Sequence, residues 1–184
     1  MIDAALAGRI RLLALDVDGV LTDNGIYLGP VDGQPVELKR FDVQDGLGHV
    51  LMRTAGIPVA WVSGRHSEAT TQRARELRVE DVLQVRGPDK LEAFGALLAR
   101  RRIAWEDAAF VGDDLADLQV LRRVGLPIAV ANAVEEVKAV AAYVTRTPGG
   151  HGAVREVVEM LLKARGRWTE LLERYFTEQA IRAV

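Results

Sequence analysis

Short apolar runs alternate with helical patterns along almost the whole chain, and this alternation does most to narrow the fold. Leu12 to Asp16 is an unbroken apolar run closed by an acid, and Pro58 to Ser63 is a second, closed by Ser-Gly-Arg. Asp81 to Val85 is weaker, Ala108 to Val111 leads into Gly-Asp-Asp, and Leu126 to Val130 and Tyr143 to Thr145 follow. Runs this short, without polar alternation, suit strands covered on both faces, as in a parallel sheet. The segments between them read as helices. Asp45 is placed to cap one from about Gly46 to Ala55, with Gly56 at its end. Ser67 and Glu68 open another to Leu77, Asp89 one to about Arg102, and Asp114 one to Val124 with Gly125 as its stop. Val134 to Val140 and Ala153 to Ala164 complete the set. Strand and helix in turn predict the α/β class: a Rossmann-like, three-layer open parallel sheet with helices on both faces.

Two pieces stand outside that alternation. Ile26 to Leu28 and Val36 to Phe41 flank Asp32-Gly33, which reads as a β-hairpin inserted directly after the first strand. In such sheets this position overhangs the carboxyl ends of the strands, where ligands bind. Near the end, Trp168, Leu171, Leu172, Tyr175 and Phe176 recur at helical spacing, suited either to packing on their own domain or to a neighbouring subunit. A length of 184 residues suits one domain over 1–184. We divide it into a hairpin insertion over 24–42 and a C-terminal helical extension over 165–184, with no large cap domain.

The chain has no cysteine, which leaves oxygen ligands for any metal and excludes disulfides and thiolate sites. Its formal net charge of −2 implies no polyanion-binding surface, so nucleic acid is not an expected partner. The first residues hold no long apolar core, so a signal peptide is not expected. No apolar run approaches the roughly 20 residues of a membrane helix. A cytoplasmic protein with no membrane partner is the expectation.

The chemistry is concentrated where strands end. Asp16 and Asp18 close the first run, Ser63 the second, and Asp113 and Asp114 the fourth, while Lys90 opens the helix after the third. In a parallel sheet these ends share one rim, so residues distant in sequence converge there. Each alone has an ordinary explanation: an Asp caps a helix, a Ser turns a chain, a Lys is solvated. Together they put several carboxylates on one rim, and a hard divalent cation relieves their repulsion. Magnesium suits such an all-oxygen site.

Asp16-Val-Asp-Gly-Val-Leu-Thr-Asp resembles the first motif of the haloacid dehalogenase-like superfamily. Ser63 in Val-Ser-Gly-Arg is similar to its second motif, Lys90 to its third and Gly112-Asp-Asp-Leu-Ala-Asp to its fourth. Over about residues 10–160 the chain further resembles the 3-deoxy-manno-octulosonate 8-phosphate phosphatase family. That family carries the same short hairpin in place of a large cap, with segments like Phe41-Asp-Val-Gln-Asp-Gly, Tyr143-Val-Thr-Arg and Gly149-Gly-His-Gly-Ala-Val-Arg-Glu. The resemblance implies phosphomonoester hydrolysis in lipopolysaccharide biosynthesis. Asp16 would be the nucleophile and Asp18 the acid and base. Ser63 and Lys90 would contact the phosphoryl group. Magnesium would be held by Asp16, Asp113 and the main-chain carbonyl of Asp18, with Asp114 and Asp117 orienting water or Lys90. Substrate contacts would come from Asp18, the loop Asp42, Val43, Gln44, Asp45 and Gly46, then Gly64, Arg65, Arg73 and Lys90. Arginine suits a sugar-acid carboxylate or a phosphate, because its fork binds either bidentately. A homo-oligomer, a tetramer by resemblance, is implied.

Three positions depart from the family pattern. Gln44 stands where arginine is usual in the hairpin-following loop, Val50 replaces a further arginine, and His151 replaces one in the late glycine loop. Each removes a firm positive charge near the expected substrate or subunit interface and leaves the catalytic set untouched. A sister phosphatase acting on a nonulosonate 9-phosphate or another small sugar phosphate therefore stays open. A receiver-like phospho-signalling domain would need its acid at the end of the third strand, where Gln84 and Val85 stand. A non-catalytic scaffold does not explain the retention of both Asp16 and Asp18. A phosphomutase would need more enclosure than a small hairpin gives.

Overall fold

In the computed structural model, which describes residues 2–182, the apolar runs are the strands of one all-parallel sheet. They are β1 (Leu12–Leu15), β4 (Val59–Ser63), β5 (Asp81–Gln84), β6 (Ala108–Gly112), β7 (Leu126–Ala129) and β8 (Tyr143–Val144), in the spatial order β5-β4-β1-β6-β7-β8. β1 lies between β4 and β6, pairing Leu13 with Val59 on one side and with Ala109 on the other. Every residue of β1 and β6 is buried, the reason these runs lack polar alternation. The chain leaves β1 towards β4 and β5, then returns to build β6, β7 and β8. The carboxyl end of β1 is therefore the switch point at which open α/β sheets bind ligands.

The helices are α1 (Ala4–Arg9), α2 (Val43–Thr54), α3 (Glu68–Leu77), α4 (Lys90–Arg101), α5 (Leu118–Leu121), α6 (Glu135–Val140), α7 (Ala153–Ala164) and α8 (Trp168–Arg182). α2 packs against α7, with α1 and α8 joined to that pair, and α4, α5 and α6 form a second group. The expected Rossmann-like, three-layer sheet is the fold. Phe94 of α4 meets Phe110 and Trp105 edge-on within its core.

The hairpin is present as β2 (Tyr27–Val31) and β3 (Gln34–Leu38), shorter on its second arm than the expected Val36 to Phe41. Asp32 (φ 50°) and Gly33 (φ 75°) both take positive φ, the requirement of a two-residue turn that matches strand twist. Phe41 lies beyond the arm, where it pairs with Thr22 in an isolated antiparallel bridge and stacks on Trp61. This bridge closes the base of the hairpin beside β1.

Several expected boundaries move. α2 starts at Val43, not Gly46, because Asp42 is its cap: extended in backbone, it accepts the Gln44 N–H at 2.7 Å. Asp45 sits inside the first turn with its side chain turned inward. The helix expected from Asp114 to Val124 is a 3-10 turn, Leu115–Asp117, followed by the short α5. Gly125 is no helix stop; a Cβ there would collide with the Glu106 carbonyl. Asp89 makes no side-chain cap, and a 3-10 turn over Gly87–Asp89 leads into α4. α1, capped by Asp3, is a helix outside the expected set.

In α8, Trp168, Leu171 and Tyr175 pack on the core of their own chain, while Phe176 is exposed. Residues 1, 183 and 184, the ends of the expected 1–184 unit and 165–184 extension, lie outside the described residues. Among the described residues no helix is long and apolar enough to cross a membrane.

Candidate active site

Asp16 follows β1 directly and its backbone N–H extends the ladder to the Val111 carbonyl, so its side chain is carried to the rim by the most buried strand. Asp113 follows β6 directly, with its backbone N–H turned to the Asp117 carboxylate instead. Asp16, Asp113 and Asp117 are all buried, with carboxylate oxygens within 4.8 Å of one another. Lys90, first residue of α4, places Nζ 2.8 Å from both Asp16 Oδ1 and Asp117 Oδ1. The second oxygen of Asp117 accepts the Asp113 N–H at 3.1 Å, so both oxygens of this carboxylate are occupied. Asp114 caps the 3-10 turn, accepting the Leu115 N–H at 2.7 Å. Gly19 (φ 90°) leaves room for Asp113 that any Cβ would take, and Gly112 does the same for Asp117.

One ammonium among three buried carboxylates leaves an excess of negative charge. Burial, then Asp117, push the Asp16 carboxyl well above its usual range, with Lys90 opposing. Burial, then Asp117 and Asp114, raise Asp113 to about 7. Burial disfavours the Lys90 ammonium, but Asp16 and Asp117 outweigh it and its pKa lies above the usual lysine value. Asp113 Oδ1 is buried with no hydrogen-bond partner. Excess negative charge around an unsatisfied buried oxygen is the environment a hard divalent cation fits. Asp16 and Asp113 offer free acceptors for it; Asp117 does not.

The Asp18 carboxylate points away from this cluster. Its Oδ2 receives Arg65 Nε at 3.1 Å, and its Oδ1 lies 2.7 Å from Lys39 Nζ. Arg65 also donates to Glu37 at 2.8 Å. Ser63 Oγ donates to the Arg65 carbonyl at 2.9 Å and accepts the Arg65 N–H at 3.3 Å, fixing the turn through Gly64. Glu37 and Lys39, from the hairpin, were not singled out in the sequence. Alternation along β3 puts them on one face, which was the available signal.

The remaining expected residues fall into two places. Arg73 donates to the Asp42 carbonyl at 3.5 Å and to Glu76 at 2.7 Å, and its guanidinium occupies the space a side chain at Gly46 would need. Val43 is exposed at the start of α2, and the Gln44 side chain lies near Gly152. Asp45 is 2% exposed, and its Oδ1 accepts the Arg155 N–H at 2.8 Å. This oxygen is spent on the first turn of α7, whose own cap, Gly152, offers no side chain. His49, not among the expected site residues, donates from Nδ1 to the Asp45 carbonyl and accepts the Trp61 Nε1–H, each at 2.8 Å.

The late glycine loop is locked under the first motif. Asn132 donates to the Gly19 carbonyl and accepts the Gly149 N–H, and Gly150 N–H reaches the Val20 carbonyl. Arg40 donates to the Gly150 carbonyl and lies 3.5 Å from His151 Nδ1. A guanidinium thus stands beside His151.

A parallel sheet whose central strand delivers a buried Asp to a Lys and two further acids defines the class of haloacid dehalogenase-like hydrolases, and a model of that description matches residues 83–157. The 3-deoxy-D-manno-octulosonate 8-phosphate phosphatase KdsC of Escherichia coli is 46% identical over 166 residues, covering 90% of this chain and 86% of that protein. The crystal structure of the phosphatase of that name from Moraxella catarrhalis, in complex with magnesium ion, phosphate ion and KDO, superposes with a TM-score of 0.87. It is 39% identical, over 94% of this chain and 97% of that one. The corresponding Yersinia pestis structure gives 0.84 at 43% identity, over 89% and 86%. The chain belongs to the 3-deoxy-D-manno-octulosonate 8-phosphate phosphatase family.

Proposed function

We propose that the protein is a magnesium-dependent phosphomonoesterase that hydrolyses 3-deoxy-D-manno-octulosonate 8-phosphate to the free sugar acid and phosphate, through an aspartyl-phosphate. The observation that carries this is Asp16 at the carboxyl end of the central strand, 2.8 Å from Lys90 and beside an unsatisfied Asp113. The metal would be held by Asp16, Asp113 and the main-chain carbonyl of Asp18, and would offset the repulsion between the Asp16 carboxylate and the phosphate dianion.

An Asp16 oxygen attacks phosphorus, the bond from phosphorus to the sugar oxygen breaks, and Asp18 gives that oxygen a proton. Water then attacks phosphorus and yields its proton to Asp18. The acyl-phosphate bond breaks, phosphate leaves and the Asp16 carboxylate returns. Lys90 answers the charge that develops on the phosphoryl oxygens, with Asp117 holding its ammonium in place. Ser63 exchanges its bond to the Arg65 carbonyl for one to a phosphoryl oxygen. Arg65, with Gly64, and Arg73 recognise the sugar acid above the Asp42–Gly46 loop. Arg40 keeps positive charge beside His151, which supports a sugar-acid substrate despite the loss of arginine there.

The whole chain acts as one catalytic unit, with the hairpin over 24–42 and the extension over 165–184 as its additions. Ile26, Tyr27, Leu28, Val31 and Leu38 expose an apolar hairpin surface, which supports a homo-oligomer, a tetramer by family resemblance. A cytoplasmic place in lipopolysaccharide assembly suits this substrate. Phosphate release with magnesium over a panel of sugar phosphates tests the reading. The octulosonate ester should give the highest kcat/KM. Preference for a nonulosonate 9-phosphate would move the assignment to the sister activity, and preference for a neutral hexose phosphate would sink both.

A further inference from the structure

Lys39 follows β3 by one residue, yet its side chain is fully buried. Nζ lies 2.7 Å from Asp18 Oδ1, donates to Thr70 Oγ1 at 3.2 Å and lies 3.9 Å from Glu37. Glu37 in turn accepts from Ser67 Oγ at 2.6 Å and from Arg65 at 2.8 Å. The two hairpin residues are thus tied to the second-motif turn, to α3 and to Asp18 together. Leu38, between them, faces the other way and is exposed. An ammonium without water must find partners inside the protein, so Lys39 cannot swing away. Arg65, the other cation on Asp18, is a third exposed and keeps a buried Nη2 without a partner. That Nη2 is the donor it has left for a ligand.

We infer that Lys39 is the positioning residue through which the hairpin holds the Asp18 carboxylate aimed at the leaving-group oxygen. This rests on the reading of Asp18 as the acid. When Arg65 engages the sugar acid, Lys39 is the contact that keeps Asp18 oriented, and Glu37 fixes Lys39 and Arg65 relative to each other. The Thr22–Phe41 bridge and the Phe41–Trp61 stack hold the base of this arm against the sheet, so hairpin placement and proton transfer are linked mechanically.

The test compares two leaving groups. A sugar alkoxide needs the proton from Asp18, whereas p-nitrophenolate departs without it; the later attack of water uses Asp18 whichever group has left, so both are followed as leaving-group release in a single turnover. Lys39→Met keeps the stem and removes the ammonium. It should slow single-turnover release of the sugar acid roughly tenfold or more, with little change in the half-saturating concentration, and leave single-turnover release of p-nitrophenolate within about twofold. Should that variant not fold, Lys39→Gln carries the same comparison. Equal losses on both substrates, or no loss on either, would overturn the positioning role. Asp18→Asn, run alongside, separates the two ideas. If it loses only the sugar substrate while the Lys39 variant does not, this inference alone falls. If it slows the single-turnover release of both leaving groups equally, the acid reading of Asp18 fails and takes the inference with it.

Discussion

Lys90 is flanked at 2.8 Å by Asp16 and Asp117, so a single ammonium answers two carboxylates while Asp113 keeps an oxygen with no partner. This imbalance makes the rim a metal site rather than a closed salt bridge. His49 shows the opposite arrangement, in which both ring nitrogens are satisfied in the neutral form. Protonation would turn a donor against the Trp61 N–H. Burial, with Arg73 and Arg53 nearby and the Asp45 carbonyl opposing, lowers its pKa from 6.5 to about 4. The folded pKa is depressed, so the unfolded chain takes up the proton first. Stability is full above pH 6.5 and falls as pH drops towards 4, by up to about 3 kcal/mol. Asp45 works the other way: burial raises its carboxyl from 3.8 to about 6, so folding gains from its protonation as pH falls through that range. Comparing wild type with His49→Gln isolates the histidine. The loss of melting temperature between pH 6.5 and 4 should be smaller in the variant, and equal slopes would remove His49 from the acid response.

Among the elements, those set by local pattern were legible and those set by distant contacts were not. β1, β4 and β6 could be read because strands buried on both faces need unbroken apolar runs. The rim residues Asp16, Ser63, Lys90 and Asp113 could be read because each ends or follows such a run. The α2 boundary was misread because both Asp42 and Asp45 suit a cap. Only the packed structure shows that Asp45 serves α7, 110 residues away. Glu37 and Lys39 were overlooked for a related reason: alternation pairs them on one face but does not say which face meets Asp18. The role of Asp45 is testable on its element. Asp45→Ala should cost about 1–2 kcal/mol in urea unfolding by uncapping α7. Asp45→Asn keeps the acceptor and should lose much less. Equal costs would mean that the charge, not the cap, matters.

On the scale of the whole molecule, the hairpin faces two ways. Glu37 and Lys39 turn to the rim, while Ile26, Tyr27, Leu28, Val31 and Leu38 present apolar surface outwards. A surface of this kind suits the docking face of the proposed oligomer. Leu28→Glu should shift the light-scattering mass from an oligomer to the 20.1 kDa chain and reduce turnover. A wild-type protein that is monomeric at full specific activity would contradict the assembly. In the proposed reaction phosphorus is brought to Asp16 at the end of β1. Phosphate release from 3-deoxy-D-manno-octulosonate 8-phosphate, with magnesium, followed for wild type and Asp16→Asn side by side, tests this most directly. Wild type should release phosphate briskly, and the variant should lose about a thousandfold or more with its melting transition retained. Release by Asp16→Asn at the wild-type rate would contradict it.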